Sequence, residues 1–172
     1  MNYIIIILLT IFFSSRADLL YENITVVLII PEYRIYTIIY ILTLAFFFAC
    51  KTYKIFKRIN TPKIYKMTII STGVIMCVGA ITPYHLNSDD IVSFLHVFCC
   101  MNASISFLIH LFIYFYYLKF YNIEKYQKYF SYFMKSIEFL ILLTIIFGRM
   151  NGYIEIIYCI IVCSTLFVLE EK

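Results

Sequence analysis

Long apolar stretches separated by short polar segments run along the whole chain. About six of them approach the roughly 20 residues that a helix needs to cross a bilayer. We predict spans at approximately Asn2–Ser15, Tyr33–Cys50, Lys66–Tyr84, Ile91–Tyr117, Lys135–Phe147 and Gly152–Leu169. The apolar residues do not alternate with period two, so a membrane β-barrel does not fit. The pattern therefore predicts an all-α, polytopic membrane helix bundle that forms a single transmembrane domain over residues 1–172.

The composition agrees with a membrane location. Hydrophobic residues make up 63% of the chain and charged residues 14%, and the mean hydropathy is +0.91. These values lie far outside the usual range of soluble domains. The first predicted span is short enough to be a signal peptide but lacks a basic segment before it. We expect an uncleaved first span, with a signal peptide as the alternative.

Basic residues set the predicted orientation, because Lys and Arg collect in cytoplasmic loops. Two predicted loops are rich in them, and only three arginines fall to the other side. The first loop carries Lys51, Lys54, Lys57, Arg58, Lys63 and Lys66, the second carries Lys119, Lys125, Lys128 and Lys135, and the three arginines are Arg16, Arg34 and Arg149. We therefore predict that both termini are cytoplasmic. This distribution accounts for the net charge of +4 without a nucleic-acid partner.

A polar segment, HLNSDD, separates the third and fourth predicted spans. Asn87 or Ser88 can cap the fourth helix, with Asp89 and Asp90 in its first turn, where the helix dipole favours negative charge. These residues alone explain a chain reversal and a helix start. His96 is different because it lies nearly two turns inside the span, where an ionisable residue suggests a functional site or a specific buried partner.

Glu155 raises the same question in the sixth predicted span. Its carboxylate can pair with His96, remain protonated or reach towards the membrane surface. A hydrolase that used His96 as a base with Asp89 or Asp90 behind it would face a separation of about 9 to 10 Å along one helix. That separation is too long for a direct orienting hydrogen bond.

The six cysteines all fall within predicted spans, without a Cys-x-x-Cys pair or grouped histidines. We therefore expect no metal site, no cofactor and no disulfide framework, and we interpret these cysteines as packing residues. The loop after the first predicted span, which we expect to face away from the cytoplasm, contains Asn23 in an Asn-x-Thr triplet. This asparagine is a possible glycosylation acceptor. After it, TVVLII is interpreted as a strand-like or re-entrant segment that ends at Pro31.

Several short motifs, in order and topology, resemble the Frag/DRAM/Sfk family of six-span eukaryotic membrane proteins. They are PEYRIY at the second span, TGVIMCVGAI in the third, FLHVFCCMNASISF in the fourth and GYIEIIYCIIVCSTLFVLEE at the end. The resemblance carries over to Pro31, Glu32, Gly79, His96 and Glu155. The chain departs from the family where Cys99 and Cys100 replace a Gly-Ala pair, which weakens the expectation that the helices pack there as closely as small-residue interfaces allow.

The resemblance implies a role in lipid or GPI-anchor remodelling, membrane organisation or autophagy, with membrane lipids, GPI-anchored proteins or other membrane proteins as partners. It also implies a location in the endomembrane system (Golgi, ER or a lysosome-like organelle) or the plasma membrane. His96, Glu155, Asp89 and Asp90 would then form a polar lumenal site without an assigned catalytic role. Three alternatives stay open: a transporter or channel, a membrane-embedded hydrolase or acyltransferase, and a structural protein in which His96 and Glu155 hold helices together.

Overall fold

The structure is a computed structural model that describes residues 2–85 and 90–171. Most of these residues form helices joined by turns and loops, and no β-strand occurs among them. The helices are α1 (Tyr3–Ser14), α2 (Ile24–Val27), α3 (Pro31–Arg58), α4 (Lys63–Ile81), α5 (Ile91–Tyr121), α6 (Ile123–Phe147) and α7 (Gly152–Glu170). The predicted all-α class is confirmed.

Five of the helices described, α3 to α7, are long and apolar enough to cross a membrane. Helix α1 has 12 residues, which is a length of about 18 Å against a hydrocarbon core of about 30 Å. Five of the predicted spans are thus supported by helix length, and the first is not. The protein is accordingly an all-helical integral membrane protein.

Two helices extend well beyond the spans predicted for them. Helix α3 continues through Arg58, and α6 begins at Ile123 rather than Lys135. The segments predicted as basic loops are therefore largely helical. The connections that remain are short, because residues 59–62 join α3 to α4 and Asn122 joins α5 to α6. The prediction was wrong because hydropathy marks where the hydrocarbon ends, whereas Lys, Arg and Tyr can continue a helix into the polar layer.

The segment before Pro31 is also helical, which corrects its interpretation as strand-like. Asn23 caps α2, with its side-chain oxygen accepting from Thr25 N at 3.1 Å. Pro31 is the first residue of α3, a position where the missing N–H of proline costs no hydrogen bond. Glu32 lies in the first turn of α3, where the helix dipole favours a negative charge.

The chain divides into two compact units, and the prediction of one transmembrane domain stays a prediction. The terminal unit comprises Met1–Thr37 and Gln127–Lys172, and the central unit comprises Ile38–Tyr126. Within the terminal unit, α1 runs antiparallel to α7. Tyr3 Oη donates to Glu170 Oε2 at 2.7 Å, and Thr10 Oγ1 donates to Cys159 Sγ at 3.1 Å.

Within the central unit, α4 and α5 form an antiparallel pair with a close approach at Gly79. A Cβ atom placed on Gly79 would lie 2.7 Å from Cys100 Sγ and 3.1 Å from Cys99 Cβ. The replacement of the Gly-Ala pair by Cys99 and Cys100 therefore does not prevent a close approach, because Gly79 on the facing helix has no side chain. A second small-residue contact joins Gly73 of α4 to Ala49 of α3, where an added Cβ would lie 3.0 Å from Ala49 Cβ.

Aromatic contacts join helix ends that carry basic residues, at one end of the central unit. The rings of Tyr65 and Tyr117 are 5.7 Å apart, and those of Phe56 and Tyr114 are 5.6 Å apart. The start of α4 therefore lies beside the last turns of α3 and α5. The cytoplasmic location of this end, and of both termini, stays a prediction.

Candidate functional site

His96 lies in the second turn of α5 and faces the C-terminal end of α4. Its side chain is 1% exposed, and its Nδ1 is 3.1 Å from Thr82 O. Because a carbonyl oxygen only accepts, Nδ1 carries the hydrogen. Thr82 is the C-cap of α4, where carbonyl groups lack partners within the helix. His96 thus links α5 to the end of α4, and the Tyr84 ring lies 5.5 Å from the imidazole.

Asp90 caps the start of α5, where the sequence had predicted Asn87 or Ser88 as the cap. Asp90 Oδ1 accepts from Ser93 N at 2.6 Å, so this aspartate is the cap rather than a first-turn residue. The prediction placed the start too early because Asn, Ser and Asp are all good caps and only the fold selects among them. Asn87, Ser88 and Asp89 lie outside the described residues.

The exposed side of Asp90 contacts the imidazole ring of His85. His85 Nδ1 is 2.9 Å from Asp90 Oδ2, and the two side chains are 60% and 36% exposed. Ser93 Oγ accepts from His85 N at 2.9 Å and lies 3.2 Å from Asp90 Oδ2. Ser, His and Asp thus meet here, but the serine contacts the histidine main chain, and the Ser-to-ring contact of a catalytic triad is replaced by a contact with the carboxylate.

Glu155 binds the main chain at the start of α2. Its Oε2 accepts from Ile24 N at 2.8 Å, and the residue is half-buried. Three possibilities were open for this carboxylate: pairing with His96, remaining protonated, or reaching towards the membrane surface. The structure shows a main-chain contact within the terminal unit, and this contact fixes the loop after α1 against α7. A pairing with His96, which was one of those possibilities, stays untested.

Asn151 strengthens the same junction, and the sequence analysis missed it. It is 0% exposed and caps α7 through a bond from Ile154 N at 3.0 Å. Its Nδ2 also donates to Leu20 O at 3.1 Å, while Gly152 N donates to Glu22 O at 2.7 Å. The signal was present in the sequence, since Asn directly before an apolar run is a common helix cap.

A further polar contact joins the buried His110 of α5 to Thr68 of α4. His110 Nε2 is 3.0 Å from Thr68 Oγ1, and His110 is 5% exposed. Like His96, His110 contacts α4 inside the central unit. Two histidines of α5 therefore bind the same neighbouring helix at two levels.

The cysteines lie within helices, as predicted, and all six are free thiols. Cys159 and Cys163 are one turn apart on α7, with sulfur atoms 4.0 Å from each other. Within residues 2–85 and 90–171, no group of three or more His, Cys, Asp or Glu side chains is placed to hold a metal ion. Asn23, the possible glycosylation acceptor, is half-buried at the start of α2.

The fold and these contacts define a class of protein, a helical membrane protein in which polar residues of the apolar helices bind neighbouring helix ends and side chains. Compared with known proteins, the chain matches no family model, no curated protein and no solved structure. The resemblance to the Frag/DRAM/Sfk family therefore stays a prediction.

Proposed function

We propose that the chain is an accessory, non-catalytic membrane protein that acts in lipid or GPI-anchor remodelling or in membrane organisation. One observation carries the non-catalytic part of this proposal. The Nδ1 hydrogen of His96 is directed at Thr82 O, and Oε2 of Glu155 accepts from Ile24 N. Nδ1 of His96 and Oε2 of Glu155 are thus each bonded to the main chain of their own unit, which is an arrangement that stabilises helix ends.

The lipid part of the proposal is supported by the family resemblance and by the apolar surface of the long helices. Helix α6 is an example, because Ile145 and Ile146 are 71% and 66% exposed. Exposed apolar side chains of this kind are stabilised by contact with lipid or with another apolar partner, and not by contact with water. The proposed location is a eukaryotic endomembrane or plasma membrane.

A structural membrane protein without a chemical site is the second candidate, and the same contacts favour it. Polar contacts between membrane helices typically stabilise by about 0.6 kcal/mol and at most about 1.7 kcal/mol. His96 and Glu155 would then matter for the folded yield and for nothing else.

The experiment compares two kinds of substitution at each residue in yeast that lacks a GPI-lipid remodelling protein of the resembled family. His96→Asn and Glu155→Gln retain a donor and an acceptor for the main-chain bonds, whereas His96→Ala and Glu155→Ala remove them. A tag reports the amount and location of each variant, and mass spectrometry reports membrane lipids and the lipid of GPI-anchored proteins. His110→Ala is the matched control, because it removes another buried histidine from α5.

The two candidates predict different results. For an accessory lipid function, the wild-type chain changes lipid or anchor composition, the Asn and Gln variants retain this effect, and the alanine variants lose it in proportion to folded protein. An effect lost in well-folded His96→Asn would overturn the non-catalytic proposal. No lipid change with correctly located wild-type protein would favour the purely structural candidate.

A further inference from the structure

Basic residues are concentrated at one end of the central unit, which we call the basic end. It comprises the last turns of α3, the start of α4, the last turn of α5 and the start of α6. Glu124 is the one acidic residue in segments 51–66 and 119–125. The eight basic residues are Lys51, Lys54, Lys57, Arg58, Lys63, Lys66, Lys119 and Lys125.

The charges are held on helices rather than on flexible loops. On the last turns of α3, Ile55 and Phe56 are 0% exposed, while Lys54, Lys57 and Arg58 are exposed. The apolar face of α3 thus fixes the direction of its basic face. Thr61 Oγ1 donates to Phe56 O at 3.0 Å, which closes the connection to α4.

Exposed aromatic side chains lie at the same end. Tyr116 is 59% exposed, Phe120 is 73% and Tyr121 is 68%, and Tyr53 on α3 is 37% exposed. Tyrosines are typical of the level at which lipid headgroups meet the hydrocarbon, because the ring is apolar and the hydroxyl is polar. The aromatic residues therefore place the basic residues next to headgroups.

The other end of the central unit has a different charge pattern. The connection after α4 contains Asp90 paired with His85, and no Lys or Arg occurs from Met67 to Leu118. The length of α4, 19 residues, separates the two ends by about 28 Å. This exceeds the screening length of about 8 Å at physiological salt, so the charges of the basic end act on nearby phosphates independently of the other end.

We propose that the basic end binds the headgroups of anionic phospholipids in the leaflet beside it. Lys and Arg attract the phosphate and carboxylate oxygens, while the exposed aromatic rings contact the glycerol and upper acyl region. This surface shares no residue with the contacts of His96 and Glu155, so the inference is independent of the proposed function. It assigns the protein a preference for anionic lipid.

The test uses the full chain purified in a neutral detergent and carrying a fluorescent label. Binding of dioctanoyl phosphatidylserine is titrated against binding of dioctanoyl phosphatidylcholine. The test variant is Lys57→Gln/Lys63→Gln/Lys119→Gln, which removes one exposed charge from each of α3, α4 and α5. The matched control is Arg16→Gln/Arg34→Gln/Arg149→Gln, which removes three exposed charges from the terminal unit.

A third variant, Lys57→Arg/Lys63→Arg/Lys119→Arg, keeps the charge and replaces the same side chains. We expect the wild type, the arginine variant and the matched control to bind phosphatidylserine about tenfold more tightly than phosphatidylcholine. The glutamine variant should lose most of this preference, and high salt should reduce it in the wild type. Circular dichroism checks that the variants are folded.

Four results would count against the proposal. The first is a wild type without a preference between the two lipids, and the second is a folded glutamine variant with an unchanged preference. The third is complete displacement of phosphatidylserine by excess inorganic phosphate, which would indicate a site for a soluble anion. A matched control that lost the preference equally would also count against the basic end, because net charge alone would then explain binding.

Discussion

A single methyl group added at Gly79 tests how closely α4 and α5 pack. In Gly79→Ala, the new Cβ atom would lie 2.7 Å from Cys100 Sγ, 3.1 Å from Cys99 Cβ and 3.2 Å from Cys100 N. Ordinary van der Waals contact between such atoms begins near 3.5 Å. The two helices must therefore separate, or the Cys100 side chain must change rotamer.

The magnitude follows from two opposing effects. Overpacking a tight contact typically costs about 1 to 3 kcal/mol, whereas replacing Gly by Ala inside a helix gains up to about 1 kcal/mol. Because Cys100 N belongs to the main chain, a rotamer change alone cannot relieve all three contacts. We expect a net loss of about 1 to 2 kcal/mol in the free energy of unfolding, which lowers the melting temperature by about 2 to 8 °C.

The assay is thermal unfolding in a mild detergent, followed by circular dichroism, for Gly79→Ala, Cys100→Ala and the double variant. Removing Sγ eliminates the shortest contact but leaves the contacts with Cys99 Cβ and Cys100 N. The double variant should therefore recover part of the stability lost in Gly79→Ala, with a coupling of at least about 0.5 kcal/mol. Gly148→Ala is the control, because no atom lies within 4 Å of its added Cβ and its φ of +65° alone disfavours alanine.

Two results would refute this reasoning. A Gly79→Ala protein that melts at or above the wild-type temperature would show that the helices have room for the methyl group. Strictly additive effects in the double variant would show that Cys100 is not the residue that opposes the added Cβ atom.

Three further predictions concern helix ends. Asp90→Ala should lower the free energy of unfolding by about 1 kcal/mol, and Asp90→Asn by clearly less, because Asn still caps; equal losses in thermal unfolding would argue against the cap. Asn151→Ala should lower it by about 2 kcal/mol in the same assay, since two main-chain partners lose a bond; a loss no larger than that of Asp90→Ala would contradict the role of the bond to Leu20. Tyr3→Phe should speed hydrogen exchange in the first turns of α1 and leave α5 unchanged, because the bond to Glu170 is lost; unchanged exchange in α1 would contradict that bond.

The helical class and most of the spans could be predicted from the sequence, because long apolar runs allow few other structures in a membrane. The ends of the helices could not. Lys57 on α3 and Lys125 on α6 lie in segments whose polarity indicated loops, yet a helix tolerates these residues once it leaves the hydrocarbon. Local composition therefore located the membrane crossings better than it located the helix ends.

The candidate site was predictable only in part. His96 and Glu155 were identified because ionisable residues are rare in apolar spans, but their main-chain partners, Thr82 and Ile24, carry no signal in side-chain chemistry. The role of Asn151 was visible as a helix cap, whereas its bond to Leu20 depends on where the first loop packs. Partners that are main-chain atoms emerge from the fold and cannot be identified from residue type.

The connection between α5 and α6 consists of one residue, Asn122, and this limits how the gene can change. One inserted residue would rotate all that follows by about 100° around the helix axis, turning apolar side chains of the next span towards new neighbours. Related sequences should therefore keep a constant length at this position even where residue types diverge. Epitope tags and fluorescent-protein insertions should fail here, and the longer connection between α4, which ends at Ile81, and α5, which begins at Ile91, is the better choice for labelling.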